Sequence, residues 1–435
     1  MAHDEPQHEP SARDAPAGLP PARDGHPGWR VTLSAMWFAQ LSCIMGFSFV
    51  MPFIPFFVRE LGVSGRMVPV WAGLTASAAG ITMSIMGPIW GYLADRHGRK
   101  LMVVRAMLGG SVVLGLMGLA RNVYELLALR VLQGSITGTV PASIALVASV
   151  VPQQRLGFSL GLMQMAVFSG GSVGPYVGGM VADRYGYRLP FAVTAALLFS
   201  GGLLVLFGAR ERSKPPPPEE RRGGAPLRLL LRTPGILGLL SLFFLLNLSN
   251  SLVMPIFPLF VEEIVKSPQR AASQTGLLLA VTGIASAFAA IVAGRLSDRA
   301  GHKVTLVTCT VLTGLLCFPH YSARTVAQLL VLRVLFGLAA GGMLPSMNAL
   351  VANTVPRSSV GQAYGFTTTA SAIGWAMGPA LGGWAASAFG YRLPFLIMGS
   401  SLLIVAAVAQ RSVRAPRGEG APAWGAEAGE GLETD

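Results

Sequence analysis

Apolar residues along this chain gather into long runs, and short polar stretches separate each run from the next. Each run is long enough for a helix to cross a hydrocarbon core of about 30 Å, and the spacing is that of stacked membrane helices rather than barrel strands. The pattern predicts spans near 33–57, 69–93, 101–120, 124–150, 157–181, 190–209, 234–261, 275–297, 303–320, 325–352, 360–386 and 392–410. The expected fold class is an all-α membrane protein of twelve transmembrane helices.

Composition removes the alternative of a water-soluble globule. Of 435 residues, 52% are hydrophobic and only 12% charged, and the mean hydropathy is +0.55. Only the ends depart from this. The first 28 residues hold five acids, three histidines and repeated prolines, without the basic and then apolar regions of a signal peptide. Residues 1–30 are read as a disordered cytoplasmic tail, and the polar residues 411–435 as a second. Cys43, Cys309 and Cys317 fall in or at the ends of apolar runs with no metal or redox spacing, and are read as small buried hydrophobes. No metal and no cofactor is expected.

A net charge of +13 would suggest nucleic acid in a soluble protein, but here the distribution of the charge decides. With the N-terminus inside, 22 of the 33 basic residues fall on the inner side and nine on the outer, while Arg130 and Arg333 lie within spans. That asymmetry predicts both termini in the cytoplasm of a multi-pass protein of the plasma (inner) membrane. Charges shared among many short loops do not form a nucleic-acid site. They can meet the phosphates of membrane lipids.

The chain repeats itself. Residues 210–233 carry four consecutive prolines (Pro215 to Pro218), Glu219, Glu220 and paired arginines, a composition that marks a cytoplasmic linker. On either side, Ser48–Pro55 (SFVMPFIP) returns as Ser251–Pro258 (SLVMPIFP), and Gly91–Lys100 (GYLADRHGRK) as Gly294–Lys303 (GRLSDRAGHK), both offset by 203. Leu129–Gly134 (LRVLQG) returns as Leu332–Gly337, and Tyr187–Phe191 (YRLPF) returns intact at Tyr391–Phe395, offset by 204. Residues 31–209 and 234–410 are therefore two copies of one six-helix unit.

These residues resemble the major facilitator superfamily over about 33–410, and most closely its twelve-span drug:proton antiporter branch. The resemblance implies two pseudo-symmetric six-helix bundles that rock about a central site, opening it alternately to each side. It implies a secondary active transporter, not an enzyme, that exports amphiphilic small molecules in exchange for protons. A monomer is expected.

The loop Gly91–Lys100 matches the family signature G-x-L-A-D-R-x-G-R-K at every fixed position. Gly91 permits close helix contact and Gly98 a tight turn. Asp95 can face the positive end of a helix in the other half, with Arg96, Arg99 and Lys100 left to pair or to bind lipid phosphates. Such an arrangement would latch one conformer shut; the plainer alternative is a short basic loop that only fixes topology. The second copy keeps Gly294, Asp298, Arg299, Gly301 and Lys303 but has His302 in place of Arg99, which predicts a weaker latch. In the fourth span, Arg130, Gln133 and Gly134 match the family pattern R-x-x-Q-G. A buried guanidinium costs several kcal/mol unless paired or watered, so Arg130 is a candidate for proton coupling. The alternative is an arginine that caps carbonyls or snorkels toward Glu125. Arg333 repeats the position with Phe336 where Gln133 would stand, and is expected to be structural. In the fifth span, Gly170, Gly174, Pro175, Gly178 and Gly179 form the family's antiporter motif, a smooth face with one helix hydrogen bond removed. The same spacing recurs at Gly374, Gly378, Pro379, Gly382 and Gly383, which equally fits plain helix packing.

None of the 20 acids falls in the middle of a span. If protons are coupled, the carriers expected are boundary groups: Asp95, or Glu60 or Glu125 acting with Arg130. Neutral, anionic or amphiphilic substrates are favoured over strictly cationic ones. The cavity implied by the family would present Gln40, Phe47, Met51, Gln164, Phe168, Asn247, Asn250, Met254, Asn348, Phe366 and Trp375, with adaptable apolar walls and uncharged hydrogen bonds. Two rivals stand beside export: an importer or uniporter of a sugar or organic acid on the same fold, and a membrane enzyme or sensor. The second lacks any HExxH or Walker motif.

Overall fold

The computed structural model describes residues 28–211, 236–354 and 360–412. The tails lie almost wholly, and the linker largely, outside the described residues, as do the side chains of Asp95 and Asp298. The described residues form sixteen α-helices: α1 (Trp29–Val50), α2 (Ile54–Glu60), α3 (Met67–His97), α4 (Arg99–Gly118), α5 (Val123–Ile136), α6 (Thr139–Val150), α7 (Leu156–Tyr185) and α8 (Leu189–Gly208) in the first half. The second half holds α9 (Ile236–Leu252), α10 (Phe257–Val265), α11 (Pro268–Ala300), α12 (His302–Ser322), α13 (Val326–Ala340), α14 (Met343–Thr354), α15 (Val360–Phe389) and α16 (Leu393–Ser412).

These helices make twelve crossings, although only ten stretches are both long and apolar enough to be recognised as spans from length and hydropathy. The fourth crossing is split into α5 and α6, of 14 and 12 residues, each too short alone. The eleventh, α15, is 30 residues long but so rich in Gly, Ala, Ser and Thr that its hydropathy falls below the rest.

The breaks have local causes. The repeated VMP segments end α1 and α9, because Pro52 and Pro255 cannot donate to a helical carbonyl. The backbone crosses both breaks on tightened three-residue bonds, Phe53 N–H to Val50 O at 3.4 Å and Ile256 N–H to Val253 O at 3.1 Å. In the fourth crossing Thr137 is extended and Gly138 has φ 130°, which frees the preceding carbonyls. The Trp90 indole donates to Ser135 O at 2.6 Å and Arg105 Nη2 to Ile136 O at 3.0 Å, with the guanidinium lying over the Trp90 ring. The second half uses other means: its break, Gly341–Gly342, presses against the Ser286 carbonyl on α11 and Cys309 on α12.

Each half has its own apolar core, one built around Met36, Phe53, Phe57, Met107 and Phe191, the other around Leu242, Phe257, Phe260, Phe395 and Leu402. The halves meet along two seams, α3 with α15 and α7 with α11. Glycines on all four helices make the approach possible. A Cβ on Gly73 would strike the Pro379 carbonyl, and one on Gly276 the Pro175 carbonyl; Gly179 faces the Ala272 carbonyl and Gly383 the Pro69 carbonyl. Every one of these contacts lies at the end of the molecule remote from the termini. Toward the termini, Cβ atoms on Gly87, Gly91, Gly157, Gly161, Gly294 and Gly365 would meet nothing within 4 Å. The bundle is thus shut on its far side and open on the side that carries its termini.

Candidate transport site

Arg130 sits beside the α3–α15 seam. It is 7% exposed, its Nη1 donates to Gln133 Oε1 at 3.0 Å, and its buried Nε has no partner. Gly134 explains its placement: a Cβ there would run into Thr82 Oγ1 and the Ala79 carbonyl, so α5 lies directly on α3. The R-x-x-Q-G spacing puts the arginine, the amide that steadies it and the close-contact glycine on one helix face. Arg130 lines a cavity of about 40 Å³ with Phe47, Met51, Ala79, Met254 and Trp375, room for about one water. The Phe47 and Trp375 rings, one from each half, stand 6.2 Å apart across it. Four of the residues expected at a central cavity therefore gather there: Phe47, Met51, Met254 and Trp375.

The other expected members do not line it. Gln40 is buried with both amide atoms unpartnered. Asn247 and Asn250 donate back to Phe243 O and Leu246 O of their own helix, both at 2.8 Å. Gln164 and Phe168 are exposed on α7, Phe366 packs against the second core, and the Asn348 carbonyl accepts from the Tyr364 hydroxyl at 2.8 Å. Periodicity could not sort these, because a membrane helix is apolar on every face.

Arg333, the repeat partner of Arg130, is held differently. Its guanidinium lies 3.7 Å from the centre of the Phe257 ring and 5.5 Å from that of Phe336. Aromatic faces replace the amide, and the position is enclosed in the second core beside His320, whose ring stacks on Phe395.

The expectation that Glu60 or Glu125 acts with Arg130 is corrected by their placement. Glu60 accepts from Arg188 Nε at 2.9 Å, and Glu125 closes the first turn of α5, accepting from Arg121 N–H at 2.9 Å and Asn122 Nδ2 at 2.7 Å. Among the described residues, no acid lines the cavity around Arg130. Arg130 itself neither caps a carbonyl nor reaches Glu125; its hydrogen bond goes to Gln133.

In the signature loop, Gly98 (φ 99°) makes the tight turn expected of it, and Gly301 (φ 91°) repeats that turn in the second copy. Gly91 and Gly294 meet no neighbour, so the close contact expected of Gly91 is not made in this conformer. The Asp95 and Asp298 side chains, central to the latch, lie outside the described residues. Arg96 and Arg299 are exposed, while Arg99 Nη1 donates to Ala145 O at 2.7 Å. Glu211, just past α8, accepts from the backbone N–H groups of Arg99 and Lys100 at 2.8 and 3.0 Å, so the chain leaving the first half is tied to this loop. Lys303 donates to Gln410 O at 2.7 Å. On α7, Gly170, Gly174 and Gly178 pack on α1 against Leu41, Met45 and Phe49, whereas Gly179 and the carbonyl of Pro175 meet α11 of the other half.

The far side carries a set of charged contacts that motif reading missed. Arg59 and Glu262 form a bidentate pair across the halves, with both N···O distances 2.8 Å. The hydrogen bonds to Glu262 hold the Arg59 guanidinium above its ordinary range, so the cation does not titrate near neutral pH. Asp183, on the last turn of α7, accepts from the Ser273 and Ala272 N–H groups of α11 at 2.7 and 3.3 Å. The signal was present in the repeat, since an offset of 203 sets position 59 opposite position 262.

Two related six-crossing halves, sealed at one face and open at the other, with Arg130 buried at the cavity between them, have the architecture of a membrane transporter. The sequence agrees over nearly its whole length, matching the Major Facilitator Superfamily at residues 36–268 and again at 239–431. The chain belongs to that superfamily. It is 34% identical over 393 residues to the Multidrug resistance protein MdtG of Citrobacter koseri, covering 89% of this chain and 96% of that protein. The protein of the same name from Klebsiella pneumoniae is 34% identical over 395 residues, covering 90% and 95%. The fold is that of a bacterial homolog of the human lysosomal transporter Spinster, with a TM-score of 0.73 at 17% identity over 90% of this chain and 98% of that one.

Proposed function

We propose that this protein exports amphiphilic small molecules across the inner membrane by proton antiport, with its two halves rocking about the cavity at Arg130. The observation that carries the reading is Arg130 itself, a buried guanidinium with an unpartnered Nε, facing a cavity walled by Phe47, Met51, Met254 and Trp375. In this conformer the cavity has room for about one water, so a substrate enters it only as the halves rock apart, its apolar body then meeting the aromatic and methionine walls and an acceptor oxygen the arginine. The multidrug resistance name of the relatives supports export of varied compounds. The basic residues gathered on the side of the termini support a cytoplasmic location for both ends. On that topology the open side faces the cytoplasm, and the conformer is the one that loads substrate for export. One chain supplies the cavity walls from both halves, so the proposed working unit is a monomer. Proton exchange is assigned to the Arg130, Gln133 and Gly134 group together with Asp95.

The test is dye retention in cells. Cells expressing the protein retain less of a fluorescent amphiphile than cells expressing Arg130→Ala at equal membrane abundance. Equal retention would remove the export reading at this site.

A further inference from the structure

The far side is closed by backbone-to-glycine contacts, by apolar packing and by the Asp183 carboxylate, which accepts from the Ser273 and Ala272 N–H groups of α11. Among the described residues, one ion pair joins the two halves, Arg59 with Glu262. We infer that this pair is the clasp that holds the far side shut and fixes how readily it opens during the transport cycle.

Three observations carry it. First, residues 59 and 262 are the same position in the two repeats, so they face one another across the pseudo-two-fold axis relating the halves. Two copies of one residue there would place like charges, or two neutral groups, against each other. The repeat has instead diverged to arginine in one copy and glutamate in the other, which makes the axial contact attractive. Second, the neighbouring position has not diverged. Glu60 and Glu263 are both glutamates, and each pairs within its own half, Glu60 with Arg188 at 2.9 Å and Glu263 with Arg392 at 3.0 Å. Arg188 and Arg392 also donate to carbonyls at the ends of α4 and α12, Gly118 and Tyr321. These internal pairs tie the short helices α2 and α10 to their own bundles, so opening the halves must stretch Arg59 from Glu262. Third, the pair has a defined geometry, although the Arg59 side chain is 44% exposed. It is bidentate, and the Glu262 side chain is only 16% exposed. A planar two-bond pair of this kind loses both bonds at once when the halves separate, which makes it suited to a two-state clasp.

The inference rests on the alternating-access reading above, but its test does not depend on which substrate is carried. Spin labels placed at Ser64→Cys and Gln269→Cys, exposed far-side positions in the loop after α2 and in the first turn of α11, report the opening of that side by electron–electron distance. The three native cysteines are replaced by alanine, and the full-length protein is held in lipid nanodiscs. Arg59→Glu sets two carboxylates face to face. It is expected to raise the population of the long, far-side-open distance by about fivefold or more, a coupling of the size ordinary between conformational states. Arg59→Gln gives a smaller shift in the same direction. The charge-swapped protein, R59E with E262R, places the same two groups at the same two equivalent positions and returns the distribution to that of the parent. An unchanged distribution in both single variants, or a swap no closer to the parent than Arg59→Glu, overturns the clasp. Either result would leave the export reading standing, because no substrate enters the measurement.

Discussion

At the scale of single residues, the export proposal rests on Arg130. A cation buried among apolar side chains, with one hydrogen bond and, among the described residues, no acid at its cavity, is costly to keep, which supports its proposed use in transport. Replacing it with alanine removes an uncompensated buried charge. The expected result is therefore a well-folded protein, with an unchanged size-exclusion profile and melting temperature, whose transport rate falls by about tenfold or more. A variant that melts early and transports at the parent's rate per folded molecule would make Arg130 structural. The contrast with Arg333 was legible in the sequence, since Phe336 stands where Gln133 does, and the cation–π stacking on Phe257 and Phe336 gives that difference its physical form. What the sequence did not reveal was the setting of Glu60 and Glu125. Both lie near span ends in the linear pattern, and only the fold shows each engaged locally, one by Arg188 and the other at the start of α5.

At the scale of elements, closure is a matter of glycines and of the signature loop. Gly276 lies against the Pro175 carbonyl with no space for a side chain. Gly276→Val must therefore push α11 from α7 on the far side, at a cost of about 1–3 kcal/mol. The far-side-open state should gain in the same label-distance measurement, and a distribution unmoved by valine would mean the seam is looser than it is packed here. The signature loop acts at the opposite end. Asp95→Asn is expected to slow turnover while leaving substrate affinity nearly unchanged, as read from rate and half-saturation separately. A turnover equal to the parent's would end the latch idea. The repeated VMP segments were visible as text, yet their meaning as helix breaks came from Pro52 and Pro255 interrupting the crossings. The split of the fourth crossing was not visible. Gly138 is one glycine among 53, and its break is stabilised by Trp90 and Arg105 from two other helices, a tertiary arrangement that no local pattern encodes.

For the whole molecule, the two-fold repeat is the feature the sequence carried best, because many landmarks share one offset and a long period is hard to mimic. Symmetry supplies the scaffold, and function sits where symmetry fails: Gln133 against Phe336, Arg59 against Glu262, Asp183 against Ser387. The conformer shut on its far side and open on the other is one end of a rocking cycle, and proton antiport requires that a pH difference drive it. The most direct test uses purified protein in liposomes with an acidic lumen and a neutral exterior, following a fluorescent amphiphile that carries no titrating group, so that it cannot be trapped by the lumen's acidity alone. The account predicts accumulation of the dye against its gradient, collapse of that accumulation when an ionophore dissipates the pH difference, and none in protein-free liposomes. Accumulation to the same level with the pH gradient dissipated would contradict proton antiport.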